Sequence, residues 1–259
     1  MSIHVDPDWW KTMFDEVYLL TDARSVCDPD LTRREIDLIC ELVPIRSDHR
    51  ILDLCGGHGR HSIELYQRGF LNCTLVDYSA YLTGHARTLA AAHDCRVDVI
   101  CSDARETGLA SDSFDHVWIL GNSLGYQLQE EADRRIMNEA RRLLGTGGWF
   151  LVDVTDGAVV REAFNPMAWH EIEGDIVVCR QRRLEEDRIH SREMVLSKEK
   201  GLIRDSTYAI RLYDAEGLED LLRQAGFQNV QVYTGHRPHR AGGDCGFMNH
   251  RMIGIGQKP

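Results

Sequence analysis

The segment Ile51-Leu52-Asp53-Leu54-Cys55-Gly56-Gly57-His58-Gly59-Arg60-His61-Ser62 constrains this chain more than any other. An apolar run closes on an acid, glycines follow at once, and an amphipathic stretch opens behind them. That is the order in which a buried strand, a tight loop and a helix are joined at the carboxyl edge of a parallel sheet. The glycines have a physical role there. A ligand lying against the backbone leaves no room for a Cβ, and a tight strand-to-helix turn often needs φ above zero. Gly57-His58-Gly59, with Ser62 three further on, is close to the G-x-G-x-x-G/A fingerprint of a nucleotide-like ligand. A binding site at this edge is the first expectation.

Periodicity sets the frame around it. Helical patterns at 8–20 and 31–43 precede a first strand at 50–54, and strands then read at 73–76, 97–101, 114–120 and 149–154 with helices at 60–68, 80–92 and 130–144 between them. Gly145-Thr146-Gly147-Gly148 reads as the stop of the last of those helices. A helix at 215–225, Gly226 and two apolar runs at 230–233 and 247–255 finish the chain, the runs pairing as an antiparallel hairpin. The predicted fold is α/β: a doubly wound, Rossmann-like, seven-stranded sheet with a C-terminal antiparallel hairpin. Residues 165–213 alternate apolar and polar positions in three runs, 169–181, 188–196 and 206–212, which predicts a small antiparallel sheet. Inserted after the fifth strand, it would form a lid over the carboxyl edge, with a dimerisation or structural flap as the alternative. Residues 1–259 thus read as a single domain, 1–45 as a helical cap and 165–213 as a lid insertion within it.

Asp53 ends its strand where a carboxylate can neutralise a ligand ammonium. NAD carries no such group, whereas S-adenosylmethionine does. Asp77, in Thr74-Leu75-Val76-Asp77-Tyr78-Ser79, and Asp103, in Asp103-Ala104-Arg105, close the next two apolar runs, and an acid after the second strand can accept both ribose hydroxyls. With Asp53, Gly57 and Gly59 on an acid-x-Gly-x-Gly-x-Gly pattern, and Cys55 where its first glycine usually stands, the chain resembles the class I S-adenosylmethionine-dependent methyltransferases. The resemblance implies that Asp53 grips the amino-acid tail, Asp77 the ribose and Asp103 the adenine amino group. Gly56, Tyr78, Ala104 and Asn122 would complete the cofactor site. The amino-terminal helix and the lid look like those of glycine-type and amino-sugar N-methyltransferases, which implies a small-molecule acceptor, nitrogen preferred over oxygen, methylated by in-line displacement.

Trp10, Phe14 and Tyr18 are four residues apart and share one helical face. Trp10 and Phe14 are expected to pack on the sheet edge, and Tyr18 to line the cofactor site. In Leu120-Gly121-Asn122-Ser123-Leu124-Gly125-Tyr126 the loop after the fourth strand should lie beside the transferable methyl, with Ser123 and Tyr126 on the substrate side. It lacks the Asn-Pro-Pro-Tyr, Asp-Pro-Pro-Tyr and Pro-Cys motifs that resembling enzymes use on amides and bases. Trp169, Arg211 and Tyr213 are further substrate-side candidates, and Asp156 and His170 are the candidate bases if the acceptor arrives protonated. The competing readings are an NAD(P)-dependent oxidoreductase and a protein that binds S-adenosylmethionine without turnover.

Composition narrows the partners. A formal charge of −11 repels a phosphate backbone, and the basic clusters Arg134-Arg135, Arg141-Arg142 and Arg180 to Arg183 read as solvated faces, so nucleic acid is not expected. No apolar run approaches the ~20 residues that span a bilayer, and no membrane partner is expected. Eight scattered cysteines without a C-x-x-C pair point to a reducing, cytoplasmic setting. His236, His239, Asp244 and Cys245 follow no standard zinc spacing, so no metal is expected. The partner is a small-molecule substrate, and the protein a monomer or homodimer.

Overall fold

The computed structural model describes residues 2–239 and 246–259. Three helices open the chain: α1 (Trp10–Met13), α2 (Glu16–Val26) and α3 (Pro29–Leu42). Strands β1 (Ile51–Leu54), β2 (Cys73–Asp77), β3 (Asp98–Cys101), β4 (Phe114–Ile119) and β5 (Leu144–Thr155) follow, with α4 (Arg60–Gln67), α5 (Ala80–Ala92) and α6 (Glu130–Leu143) as crossovers. After α7 (Gly157–Glu162) come β6 (Met167–Ile172), β7 (Ile176–Glu185), β8 (Arg188–Ser197) and β9 (Gly201–Arg211). Helix α8 (Ala215–Gln224), β10 (Gln228–His236) and β11 (Arg251–Gln257) end the chain.

Seven strands form one sheet in the order β10-β11-β5-β4-β1-β2-β3, and β6 to β9 form a second, antiparallel sheet in sequence order. β1 to β5 pair in parallel, while β11 runs antiparallel to both β5 and β10. The large sheet is covered on both faces, and period-2 alternation sorts its side chains. Leu52 and Leu54 join Met137 of α6 and Leu218 of α8 in one buried cluster, whereas Ile51 joins Ile36 and Ile39 of α3 in another. Apolar residues on both faces make each parallel strand read as a continuous hydrophobic run.

Several boundaries differ from the sequence reading, each for a local reason. The first helical pattern is two helices, because Asp15 takes an extended conformation and its Oδ1 accepts from Val17 N (2.9 Å) and Tyr18 N (3.2 Å), capping a new helix. Gly145 to Gly148 belong to β5 rather than to a helix stop; the strand begins at Leu144, and its pairing with β4 shifts register between Phe114 and His116. The run 169–181 is two strands, β6 and β7, joined where Glu173 (φ 50°) and Gly174 (φ 75°) both turn left-handed, the requirement of a type I′ hairpin. The segment placed at 247–255 is a short 3₁₀ turn, Gly246–Asn249, followed by β11. Arg180 and Arg182 are buried against the rest of the molecule, not solvated. No helix among the described residues is long and apolar enough to cross a membrane.

Candidate active site

Chain direction from β1 runs outward through β2 and β3, while β4 and β5 lie on its other side. The loops leaving β1 and β4 therefore part, and a crevice opens at this reversal of strand order. It holds a cavity of about 1060 Å³ lined by Asp53, Gly57, Asp77, Tyr78, Asp103 and Ala104, among others. A Cβ on Gly56 would fall 2.7 Å from Asp53 Cγ and 2.8 Å from Leu75 Cγ, so that turn admits only glycine. Cys55 takes φ 62°, the left-handed conformation that explains the glycine usual at its position. Gly59, at φ 84°, is the N-cap of α4; a Cβ there would press on Ala86 and Leu75 at 3.2 Å. It serves helix-on-sheet packing and is not part of the cavity wall.

The three acids differ in electrostatics. Asp53 is buried; Ser62 Oγ donates to its Oδ2 at 2.8 Å, and its Oδ1 has no protein partner. A buried carboxylate oxygen without a donor is costly unless a ligand supplies one, and an ammonium does so. Asp77 accepts from Gly57 N through Oδ2 and from Ser79 N through Oδ1, each at 2.8 Å. Burial outweighs those donors and pushes its carboxyl up to about 6. Partial burial also penalises the Asp103 charge, but the Arg105 guanidinium, donating to both its oxygens, more than offsets this and holds it below the usual carboxylate range. The cavity thus offers an orphaned acid, a desolvated acid and a clamped acid, which fits S-adenosylmethionine with its ammonium, ribose and adenine.

The amino-terminal segment roofs this cavity. Trp10 and Phe14, expected on the sheet edge, line it instead, because the break at Asp15 ends α1 over the β2 loop. Trp10 meets the Tyr78 ring edge-on at 4.6 Å and carries the Arg105 guanidinium 5.1 Å from its centroid. Ser79 Oγ donates to the Phe14 carbonyl at 2.6 Å. Phe14 stacks on Tyr126 at 5.4 Å and meets Tyr18 edge-on at 5.1 Å.

A second cavity of about 950 Å³ shares Phe14, Tyr18, Arg60 and Tyr126 with the first. Its far wall is the inner face of the second sheet, with Arg180 from β7, Glu193 from β8 and Tyr208 from β9. Arg180 Nε donates to Glu193 Oε2 at 2.7 Å and its Nη2 to Asp22 Oδ2 at 3.2 Å. Sequence reasoning missed Arg180, Glu193, Asp22 and Tyr208. The available signal was that Arg180 and Glu193 occupy positions of the alternating runs where a buried residue is due.

The remaining candidates separate. Ser123 lines the first cavity, and Tyr126 both. Asn122 borders the second, where its Oδ1 accepts from Thr155 N at 2.8 Å and braces the loop. Asp156 is the N-cap of α7, accepting from Ala158 N at 3.1 Å and Val159 N at 3.4 Å, and is not on either cavity wall. His170 and Trp169 lie on β6, the edge strand farthest from β9; neither borders these cavities, and Trp169 is 69% exposed. Arg211 is buried in an ion pair with Asp133, and Tyr213 donates to Asp133 Oδ2 at 2.8 Å, so both knit the molecule together away from the substrate side. Asp244 and Cys245 lie outside the described residues, among which no cluster of metal-ligating side chains occurs.

Residues 51–148 match the family described as a methyltransferase domain. A glycine/sarcosine N-methyltransferase of Aphanothece halophytica is 26% identical over 188 residues, covering 71% of this chain and 68% of that protein. Among solved structures, an S-adenosylmethionine-dependent methyltransferase of Clostridium acetobutylicum superposes with a TM-score of 0.73 at 16% identity, covering 93% of this chain and 96% of that one. The sugar N-methyltransferase KedS8 of a Streptoalloteichus species gives 0.67 at 18%, covering 100% and 96%. These likenesses share the fold, and the antiparallel β11 beside β5 parts it from the all-parallel dinucleotide-binding sheet of the nicotinamide reading. The family match spans the strands and glycines that build the first cavity, and the chain as a whole has the fold of S-adenosylmethionine-dependent methyltransferases of known structure.

Proposed function

We propose that the second cavity receives a small-molecule acceptor and that the atom methylated is nitrogen. The observation that carries this is the shared wall: Phe14, Tyr18 and Tyr126 border both cavities, so an acceptor in one reaches a methyl presented from the other. Its walls carry aromatic rings that can face a cationic amine, with the acids Asp22, Glu35 and Glu193 set among Arg60, Arg180, Arg182 and Arg251. The names of two relatives, a glycine/sarcosine and a sugar N-methyltransferase, agree with nitrogen.

S-adenosylmethionine, when bound, supplies an electrophilic methyl on a sulfonium. Asp53, Asp77 and Asp103 would hold its tail, ribose and adenine, with Gly57, Tyr78 and Ala104 beside them. The protein's main contribution is then positional, since near-attack geometry supplies about 7–11 kcal/mol. Residues 1–45 act as a cap on the cofactor and 165–213 as a lid on the acceptor, both parts of one domain, and together they exclude water from the reacting atoms. The test is thermal melting with S-adenosylmethionine, S-adenosylhomocysteine and NADH, followed by assay of S-adenosylhomocysteine formation with paired amines and alcohols. The expected result is stabilisation by the two sulfur compounds alone, about 2.7 kcal/mol at one hundred times Kd, and turnover of amines. Turnover confined to alcohols, or to macromolecules, would overturn the reading, and binding without turnover of any acceptor would mark a cofactor sensor.

A further inference from the structure

We infer that Glu193 is the proton acceptor for the nucleophile, and hence that the acceptor class is an amine bearing at least one N–H that enters as an ammonium ion. This deepens the proposal above and rests on it.

Glu193 stands on the inner face of β8, between Arg180 on β7 and Ser206 on β9 in the strand register. Its side chain is 2% exposed, yet it borders the second cavity. One carboxylate oxygen, Oε2, takes the Arg180 Nε hydrogen at 2.7 Å, and the other, Oε1, is buried with no partner. Such an oxygen normally has a donor, and the open space it borders is where one can arrive. The titratable groups that face it are Arg180 from β7, Asp22 from α2, and Arg204 and Tyr208 from β9. Arg204 is itself paired with Asp15, and Arg180 is shared with Asp22. Desolvation dominates and pushes the Glu193 carboxyl above the usual glutamate range, with Arg180 opposing, which suits a group that must take up a proton. Neither Asp156, held by the first turn of α7, nor His170, on the remote edge strand, borders this cavity.

The step balances as follows. An acceptor R–NH₃⁺ gives one proton to Glu193 Oε1 and becomes R–NH₂. Its freed lone pair forms the N–C bond to the methyl as the C–S bond breaks, and that electron pair stays on sulfur. The product is R–NH₂⁺–CH₃, and Glu193 returns its proton to solvent when the site opens.

The experiment compares wild type, Glu193→Gln and Glu193→Asp in the full chain. Calorimetry with S-adenosylhomocysteine comes first, and equal affinity in all three shows the fold and cofactor site intact. Absence of binding to wild type would overturn the cofactor reading itself, a separate failure. S-adenosylhomocysteine formation is then followed with glycine, sarcosine and 3-amino-3-deoxyglucose, against glycolate and glucose as oxygen counterparts. The expected result is turnover of an amine and none of the oxygen compounds. Glu193→Gln should lower kcat about 100-fold or more near neutrality without moving KM for S-adenosylmethionine. The deficit should shrink as pH rises toward the amine's own pKa, because solvent then delivers the free base, and Glu193→Asp should restore part of the rate. A Gln variant with wild-type kcat and pH profile overturns the inference, as does turnover of oxygen compounds only or of no amine by protein that binds S-adenosylhomocysteine.

Discussion

In the proposed cofactor site, Asp77 is the buried side chain that would couple binding to pH. Its carboxyl is pushed up to about 6 from 3.8 by desolvation, against the backbone donors of Ser79 and Gly57. A raised acid favours its neutral form in the fold, so its stabilising contribution is present below 3.8 and is lost as pH rises through 6. Above 6 the ligand-free protein holds an under-solvated charge, which the ribose hydroxyls of the proposed cofactor would relieve. Affinity for S-adenosylhomocysteine should therefore fall as pH drops through 6, approaching tenfold per unit for one proton, and Asp77→Asn should flatten the slope. Calorimetric affinity that is level from pH 7 to 5 in wild type would remove Asp77 from the ligand. Gly56→Ala gives a steric counterpart: its Cβ meets Asp53 and Leu75 below 3 Å. It should cost about 1–3 kcal/mol of stability and weaken the same ligand by displacing Asp53, read by urea unfolding and calorimetry. These residues were legible because an acid at a strand end and a glycine behind it advertise themselves in one dimension. Arg180 and Glu193 were not, since each looks like an ordinary charged strand residue until β7 and β8 pair and put them opposite each other.

At the level of elements, the second sheet is anchored by a buried charge cluster. Asp133 of α6 takes Arg211, at the end of β9, together with the Tyr213 hydroxyl and Gly125 N. Gly125 lies so close to Arg211 that a Cβ there would sit 2.9 Å from its carbonyl oxygen. The loop after β4 and the last strand of the second sheet are thus fastened at one point beside the first cavity. Asp133→Ala should destabilise by about 3 kcal/mol, the low end for breaking a buried pair, because Asp187 and the Leu128 carbonyl still hold Arg211. Tyr213→Phe should cost only about 1 kcal/mol, one hydrogen bond. Equal losses from the two variants in urea unfolding would mean that the ion pair adds nothing beyond the hydroxyl. The alternation of 165–213 revealed a sheet but not its strand count, because Glu173-Gly174 carries its turn with a non-glycine residue at positive φ. The amino-terminal break was hidden in the same way: Trp10, Phe14 and Tyr18 keep helical spacing across Asp15, whose capping bonds outweigh it.

For the molecule as a whole, the deciding feature is where the last strand goes. Apolar runs near the end of the chain made an antiparallel pair legible, but not that β11, the final strand, turns inward between β5 and β10. Its two partners and two covered faces show why it does. Seven residues of β11 pair with β5, Met252 joins the cluster that contains α6 and α8, and Ile253 joins the one that contains α3. Gly254 and Gly256 let α8 and Phe227 close on it, since a Cβ at either would come within about 3 Å of those side chains. β10 is left at the edge with most of its residues exposed or half-buried. The sheet therefore cannot complete until β11 has joined β5, and contacts of such long sequence separation form slowly. Met252→Ala and Ile253→Ala should each destabilise by about 2–5 kcal/mol through separate cavities, whereas Val230→Ala on the edge strand should cost about 1 kcal/mol or less. Because the two inner side chains serve opposite faces, the double variant should lose nearly the sum, to within about 0.5 kcal/mol. Urea unfolding of the four proteins checks this, and a double variant no less stable than either single one would mean that β11 packs against one layer only.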